Sequence, residues 1–304
     1  MRALAILLVA CAVACTPDFA APSDVTDLRV LAVQADPPEA QFDDAGVEPV
    51  QVNILAVDPR SPAPIEVRAQ LCAPTDSRRC DQGQPIGDVP DAGLSTALPL
   101  TSDFPDFLRS VAQRDDLNGF GGIRVQYSFS IENGGGPVYG SKLLLFSPRG
   151  GTPNHNPAVI GVRLTRDGVA YGSTDPSPGD TIELPAEVEI GLLPLIPTTI
   201  CEEYVTTDFR GNPVSLTEQP RYSFFVTPGA EIGVDTADEP LDGVPPPDGL
   251  SRITAHSGEG TLWIVVRDGR GGESWARFQW KAVADAKPTP SPRPVPARCP
   301  PVPQ

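Results

Sequence analysis

The chain has 304 residues and a formal net charge of −16, with 37 prolines and 28 glycines among them. Breakers at that density exclude long helices and favour short strands joined by turns. An acidic chain with no visible basic patch is repelled by phosphate backbones, so nucleic acid is excluded as a partner.

Residues 1–17 read MRALAILLVACAVACTP, with one positive charge, a short apolar run, small residues and a cysteine. The run falls short of the ~20 apolar residues a spanning helix needs, so the segment reads as a cleaved address. It resembles a bacterial lipoprotein signal, in which the cysteine is acylated and becomes the first residue of the mature protein. That resemblance implies a signal peptide over 1–14, a lipid on Cys15, and a chain held at the outer membrane or cell surface. Cys11, behind Leu8-Val9-Ala10, is the competing anchor, and a secretory signal cut near Ala14 or Ala21 is the plainer alternative. Cleavage before Cys15 leaves Cys72, Cys80, Cys201 and Cys299, an even set suited to disulfides in an oxidising compartment. Residues 15–26 are small, polar and proline-containing, as expected of a tether.

Strand-like patterning starts at Leu28–Val33 and stops at Asp36-Pro37-Pro38. Val50–Val57 follows, and then Ile65, Val67, Ala69 and Leu71 alternate with polar residues. Ser102 or Asp103 and Pro105 cap a short helix carrying Phe104, Phe107, Leu108 and Val111 at helical spacing. The clearest strand has Ile123, Val125, Tyr127, Phe129 and Ile131 on one face, and it turns at Asn133-Gly134-Gly135-Gly136 into Val138–Phe146. Residues 148–157 lack apolar periodicity and are read as an open linker between an N-terminal module, 27–147, and a C-terminal one, 158–286. The second module repeats the scheme, with strands at Ile160–Leu164, Thr181–Leu184, Val188–Leu192 and Tyr222–Val226. A closing hairpin runs Leu262–Val266, turns over Asp268–Gly272 and returns along Ala276–Trp280. Residues 287–304 form a proline-rich tail.

Two halves that begin with a strand ending at a proline corner and close on a long hairpin predict an all-β chain of two sandwiches in tandem, with one short helix in the first. The segments LRVLAVQADPPE at 28–39 and WIVVRDGRGG at 263–272 are similar to the first strand and last hairpin of immunoglobulin-like modules in bacterial surface proteins. The whole chain resembles myxobacterial-type surface lipoproteins that carry such modules. Of the three possible connectivities, Cys72–Cys80 with Cys201–Cys299 keeps each disulfide within one module.

Motifs for catalysis are absent. The two histidines, His155 and His256, lie in loop-like stretches and read as surface residues, and neither a Gly-x-Ser-x-Gly elbow nor a His-Glu-x-x-His pair occurs. Glu202 and Glu203 are sequence neighbours and face opposite ways on a strand, so they do not form a glycosidase pair. The acid-rich stretch 233–250, with Asp235, Asp238, Glu239, Asp242 and Asp248, offers weak calcium ligands and otherwise reads as a solvated loop. No cofactor is implied and no catalytic residue is assigned. The expected function is a non-enzymatic binding or structural module, contacting an envelope or extracellular protein or glycan through its loops, 41–48 and 233–250 above all. Calcium-dependent adhesion or carbohydrate binding is the alternative, and an enzyme on a β-scaffold the less favoured one.

Overall fold

A computed structural model describes residues 20–80, 85–114, 121–150, 153–207, 210, 212–284, 296, 298 and 299. The signal segment 1–14, the anchor Cys15 and most of the tail 287–304 lie outside the described residues.

The first module contains β1 (Arg29–Asp36), β2 (Glu39–Asp43), β3 (Gly46–Val47), β4 (Gln51–Val57), β5 (Glu66–Cys72), β6 (Pro85–Asp88), β7 (Ser95–Ala97), the helix α1 (Phe104–Ala112), β8 (Ile123–Glu132) and β9 (Val138–Pro148). One sheet runs β1-β4-β7 and the other β3-β2-β9-β8-β5-β6. The first strand serves both: β1 pairs antiparallel with β4, the chain turns at the cis Asp36–Pro37 peptide, and β2 continues parallel to β9. Period-two alternation delivers Val125, Tyr127, Phe129 and Ile131 of β8 to the core, where Leu144 and Phe146 of β9 meet them. The helix α1 closes this core with Phe104, Leu108 and Val111, and the Phe104 ring lies 5.3 Å from Phe146. Pro105 sits in the first turn as expected, but the Asp103 carboxylate makes no capping bond; the Ser102 hydroxyl donates to it instead.

The second module contains β10 (Gly161–Arg166), β11 (Val169–Ala170), β12 (Thr181–Pro185), β13 (Glu189–Leu195), β14 (Glu203–Thr207), β15 (Pro213–Thr217), β16 (Arg221–Val226), β17 (Ala230–Ile232), β18 (Thr236–Asp238), β19 (Ser251–Ala255), β20 (Glu259–Arg267) and β21 (Glu273–Val283). Its sheets run β11-β10-β13-β19-β17 and β12-β21-β20-β16-β18, with β14-β15 as a separate hairpin. The plan of the first module recurs: β10 pairs antiparallel with β13, and β12 crosses to lie parallel to the last strand, β21. Two sheets sharing their first strand, with the last hairpin beside it, define an immunoglobulin-like sandwich, and the chain is two of them in tandem.

Both cysteine pairs are bonded. Cys72 and Cys80 clip a short loop to the end of β5, and Cys201 with Cys299 closes a separation of 98 residues. A loop of that size is worth about 4.7 kcal/mol in the chain-entropy account. The tail enters the second core beside this bond. Arg298 and Glu239, each with a side chain only 2% exposed, form a two-pronged ion pair; Arg298 also donates to the Pro194 carbonyl, and the Tyr222 hydroxyl donates to Glu239 at 2.9 Å. Burial and the adjacent Glu239 charge hold the Tyr222 phenol well above its ordinary pKa.

The segments expected to hang free are built into the joint between the modules. Ser23–Val25, within the expected tether, runs beside the end of β16: Val25 N donates to the Val226 carbonyl and Val226 N to that of Ser23, both at 2.9 Å. Val25 then packs with Leu31 of β1 and Trp263 of β20, all at most 5% exposed, so β20 is covered on both faces. The linker is bonded too. Asn156 donates to the Ala35 carbonyl of the first module and accepts from Glu273 N of the second, Asn154 donates to Asp268, and Arg149 pairs with Asp43. A polar stretch without periodicity looks open in sequence; here its amides are the bonding groups.

A Trp263→Ala substitution should therefore loosen the joint more than either core. Truncating a buried tryptophan costs about 3–5 kcal/mol. The single calorimetric unfolding transition expected of the native chain should split into two in the variant, and a variant that still melts as one unit would show that the modules do not depend on this contact.

Candidate functional site

Two places gather functional side chains, one at the joint and one on the outward face of the first module.

At the joint, the turn between β20 and β21 is organised by Asp268. Its carboxylate accepts from Arg270 N at 2.7 Å, Gly272 N at 2.9 Å and Asn154 Nδ2 at 2.8 Å, while burial pushes its pKa up. A side chain at Gly272 would place Cβ 2.0 Å from Asp268 Oδ2, so only glycine permits the carboxylate to fold inward. The turn thus aims Arg270 across the joint, where it bonds Glu39 of the first module and Glu218 at the end of the β14-β15 hairpin, both at 2.9 Å, and stacks on Tyr204 at 4.3 Å. Glu218 is buried, and desolvation with the neighbouring Asp268 charge pushes its pKa up to about 7 against the opposing pull of Arg270. A cavity of about 330 Å³ lies beside it, lined by His155, Asn156, Pro197, Ile200, Glu202 and Glu218.

A raised carboxyl in a cavity is a signature of catalytic acids. In this one the groups are already engaged with each other: His155 Nδ1 lies 2.8 Å from Glu202, whose other oxygen is 4.0 Å from Arg270, and Glu218 holds the same guanidinium. Glu203 instead starts β14 on an exposed position. His155 and His256 are surface residues; His256 bridges Glu187 at 3.1 Å and Glu231 at 3.4 Å, and the Glu187 hydrogen bond raises its pKa.

On the first module, the outward pleats of β5, β8 and β9 form a groove of about 590 Å³. The register sets its floor: Arg68, Ser130 and Tyr139 stand in one row across the three strands, and Gln70, Ser128 and Ser141 in the next. Small serines between long neighbours leave the space. One wall is the loop clipped by Cys72–Cys80, where the Thr75 hydroxyl both accepts from Arg79 N at 3.2 Å and donates to the Arg79 carbonyl at 2.9 Å. Thr75 N donates in turn to the buried Gln126. Thus braced, Arg79 lays its guanidinium over the Tyr139 ring at 4.4 Å. The other wall is the end of β6 and the stretch after it, where Asp88 accepts from Gln70 Nε2 at 2.8 Å and the exposed Asp91 follows.

The other sequence candidates do not converge. Asp238 pairs with Arg221 at 2.6 Å, Glu239 is committed to Arg298 and Tyr222, and Asp242 accepts from Val244 N. Among the described residues no group of three or more histidines, cysteines or carboxylates is placed to hold a metal ion, Asp235 included. The loop 41–48 is spent on its own turn, with Asp43 accepting from Ala45 N and Gly46 N and Glu48 from Gln41 N. No helix among the described residues is long and apolar enough to cross a membrane.

No protein-family model and no curated protein matches the sequence. Solved structures similar in shape include a chimeric titin Z1Z2 tandem (10% identity, 84% of this chain and 100% of that one, TM-score 0.22) and the two tandem V-type regions of VCBP3, a v-region-containing chitin binding protein (10%, 84% and 100%, 0.27). The Ig1-2 module of the Drosophila receptor protein tyrosine phosphatase DLAR is another (13%, 85% and 100%, 0.24). The assignment to tandem immunoglobulin-like sandwiches rests on the strand order and register above.

Glu218 gives the joint a pH signature. Its folded pKa, about 7, lies above the ordinary value of 4.5, so between those values the folded state binds the extra proton and stability falls as pH rises. Glu218→Gln keeps an acceptor for Arg270 without the charge. Melting temperatures from pH 4.5 to 7.5 should decline less steeply in the variant, which should melt higher than the native chain at pH 7.5; parallel curves would refute the assignment.

Proposed function

We propose that this chain is a non-catalytic contact protein whose two modules act as one rigid body and whose binding surface is the groove on the outward face of the first. The observation that carries this reading is the braced Arg79–Tyr139 pair above a serine floor. It is a preorganised polar site on a rigid sheet, and it is not consumed by the fold. The carboxyl groups with raised pKa at the joint, Glu218 and Asp268, are instead tied to Arg270 or to the turn that carries it, which is a structural use.

In this proposal the chain is tethered by a lipid on Cys15 at the outer membrane or cell surface. Two or three acyl chains would make that anchoring stable where one gives marginal binding. Ser23–Val25, clamped to β16, leaves only the residues before it as tether, so the anchor holds the chain by its second module and the groove is carried on the first. The ligand would then come from the envelope or from outside the cell.

Filling the groove tests the reading. Ser130→Trp on β8 replaces a half-buried floor residue with a bulky ring and should leave the melting temperature unchanged. Binding of the mature chain to isolated envelope and extracellular matrix, followed on a biosensor, should fall at least tenfold in the variant. The native chain should show no turnover of esterase, protease, phosphatase or glycosidase substrates. Undiminished binding by Ser130→Trp, or turnover abolished by one point substitution, would overturn it.

A further inference from the structure

The groove also specifies the chemistry of its ligand, on the reading just given that it is a binding site. The charged side chains lining it are Arg68, Arg79, Asp88 and Asp91. In a chain of net charge −16, many arginines sit against a carboxylate, as Arg109, Arg163, Arg221, Arg252, Arg267, Arg270 and Arg298 do. Arg68 and Arg79 have no carboxylate at ion-pair distance among the described residues. Asp88 is turned toward Gln70, and the exposed Asp91 has a left-handed backbone, φ 50°.

Contact with the aromatic face takes up none of the places for hydrogen-bond acceptors around the guanidinium, and the N–H groups of an arginine form a fork matched to a planar carboxylate. The polar side chains among the rest of the lining are Ser128, Ser130 and Gln70, with Asp88 as a strong acceptor, and they lie among apolar ones, Val67, Ala69, Val89, Ala92 and Phe129, that belong to the core beneath. Such a surface complements a ligand that presents hydroxyls along its length and a carboxylate at intervals. We propose that the groove binds an acidic oligosaccharide, a chain of uronic-acid sugars, with its carboxylate held by Arg79 and Arg68 and its hydroxyls by the serine floor and the Gln70–Asp88 pair.

Other ligand classes fit worse. A peptide adding to a sheet needs unpaired backbone groups, whereas the floor strands β5 and β8 are hydrogen-bonded on both sides, to β6 and β8 and to β5 and β9. Peptide anchoring otherwise calls for apolar pockets, and the large buried side chain of the lining, Phe129, belongs to the core beneath the sheet. A nucleic acid, whose bases need an open aromatic face to stack on, would find the face of Tyr139 already covered by Arg79. The volume of about 590 Å³ is in the range of small-ligand sites.

The test is a calorimetric titration of the full mature chain with short oligomers of galacturonate, mannuronate and glucuronate, each beside its carboxyl-reduced neutral counterpart. At least one acidic oligomer should bind, at least tenfold more tightly than its neutral form, and more weakly as salt is raised. Arg79→Ala and Arg68→Ala should each reduce that affinity at least tenfold at an unchanged melting temperature, and Arg79→Lys, which keeps the charge and loses the fork, should recover it only partly. Equal binding of acidic and neutral oligomers, full recovery by Arg79→Lys, or no binding of any acidic oligomer at millimolar concentration would overturn the inference. If Ser130→Trp still abolishes binding to envelope material in that event, the groove remains the contact surface and only its ligand class is wrong; if Ser130→Trp has no effect there, the contact reading falls with it.

Discussion

The buried carboxylate of Glu273, at the start of the last strand, is the constraint on which the arrangement of the two modules depends. Its side chain is 6% exposed and is approached from both halves: Lys142 of β9 at 3.1 Å and Val33 N of β1 meet its Oε2 from the first module, and Arg267 of the second lies 2.6 Å from its Oε1 as an ion pair without hydrogen-bond geometry. A carboxylate withdrawn from water at a joint is costly unless its partners are all in place, and removal of one partner leaves the others buried and unpaired. The docking geometry is therefore specified, because sliding or rotating the modules would separate Glu273 from Lys142 and Val33. Apolar burial of Val25, Leu31 and Trp263 supplies attraction. The charges supply the register.

The same strand links this joint to the proposed binding surface. On β9 the inward pleat carries Gly140, Lys142, Leu144 and Phe146, opposite Phe129, Tyr127, Val125 and Ile123 of β8, and the outward pleat carries Tyr139 and Ser141. Lys142 is thus held by the second module, while Tyr139, three residues earlier, supports Arg79 in the groove. A strand fixed at both pleats has little freedom to tilt, and the groove inherits that stiffness. The Cys72–Cys80 clip and the Thr75–Arg79 bonds hold the facing wall. Lost side-chain freedom on binding is correspondingly small.

Local features of the fold were legible in sequence because they depend on periods of two and on breakers. The alternation over Ile123–Ile131, the glycine turn after it and the helix beginning near Phe104 all lie within a few residues of where the structure has them. Features that join distant segments were not. Nothing in the small polar run Ser23–Val25 announces that it will pair with Val226, and Asn154 and Asn156 read as loop residues because an asparagine's partner has no signature in the sequence around it. Trp263 had one cue, since 262–266 is an apolar run without alternation, the pattern of a strand covered on both faces, and the structure buries all five residues. The groove depends on register: serines at 128 and 130 become a floor only once β8 is placed between β5 and β9 with Arg68 and Tyr139 in the same row. The acids of 233–250 misled for the same reason, because the partners that occupy Asp238 and Glu239, Arg221 and Arg298, lie 17 and 59 residues away.

That the two sandwiches form a single rigid body, fixed by Glu273 and by Arg270 across the joint, is the claim from which the binding surface, the clamped tether and the bonded linker all follow. Residual dipolar couplings of backbone amides in a weakly aligned sample measure it without altering the chain. Couplings from residues 29–148 and from residues 161–283 should each return the same alignment tensor, in magnitude and orientation, when fitted to one structure. Two tensors of different magnitude would show modules moving independently, and would contradict the account.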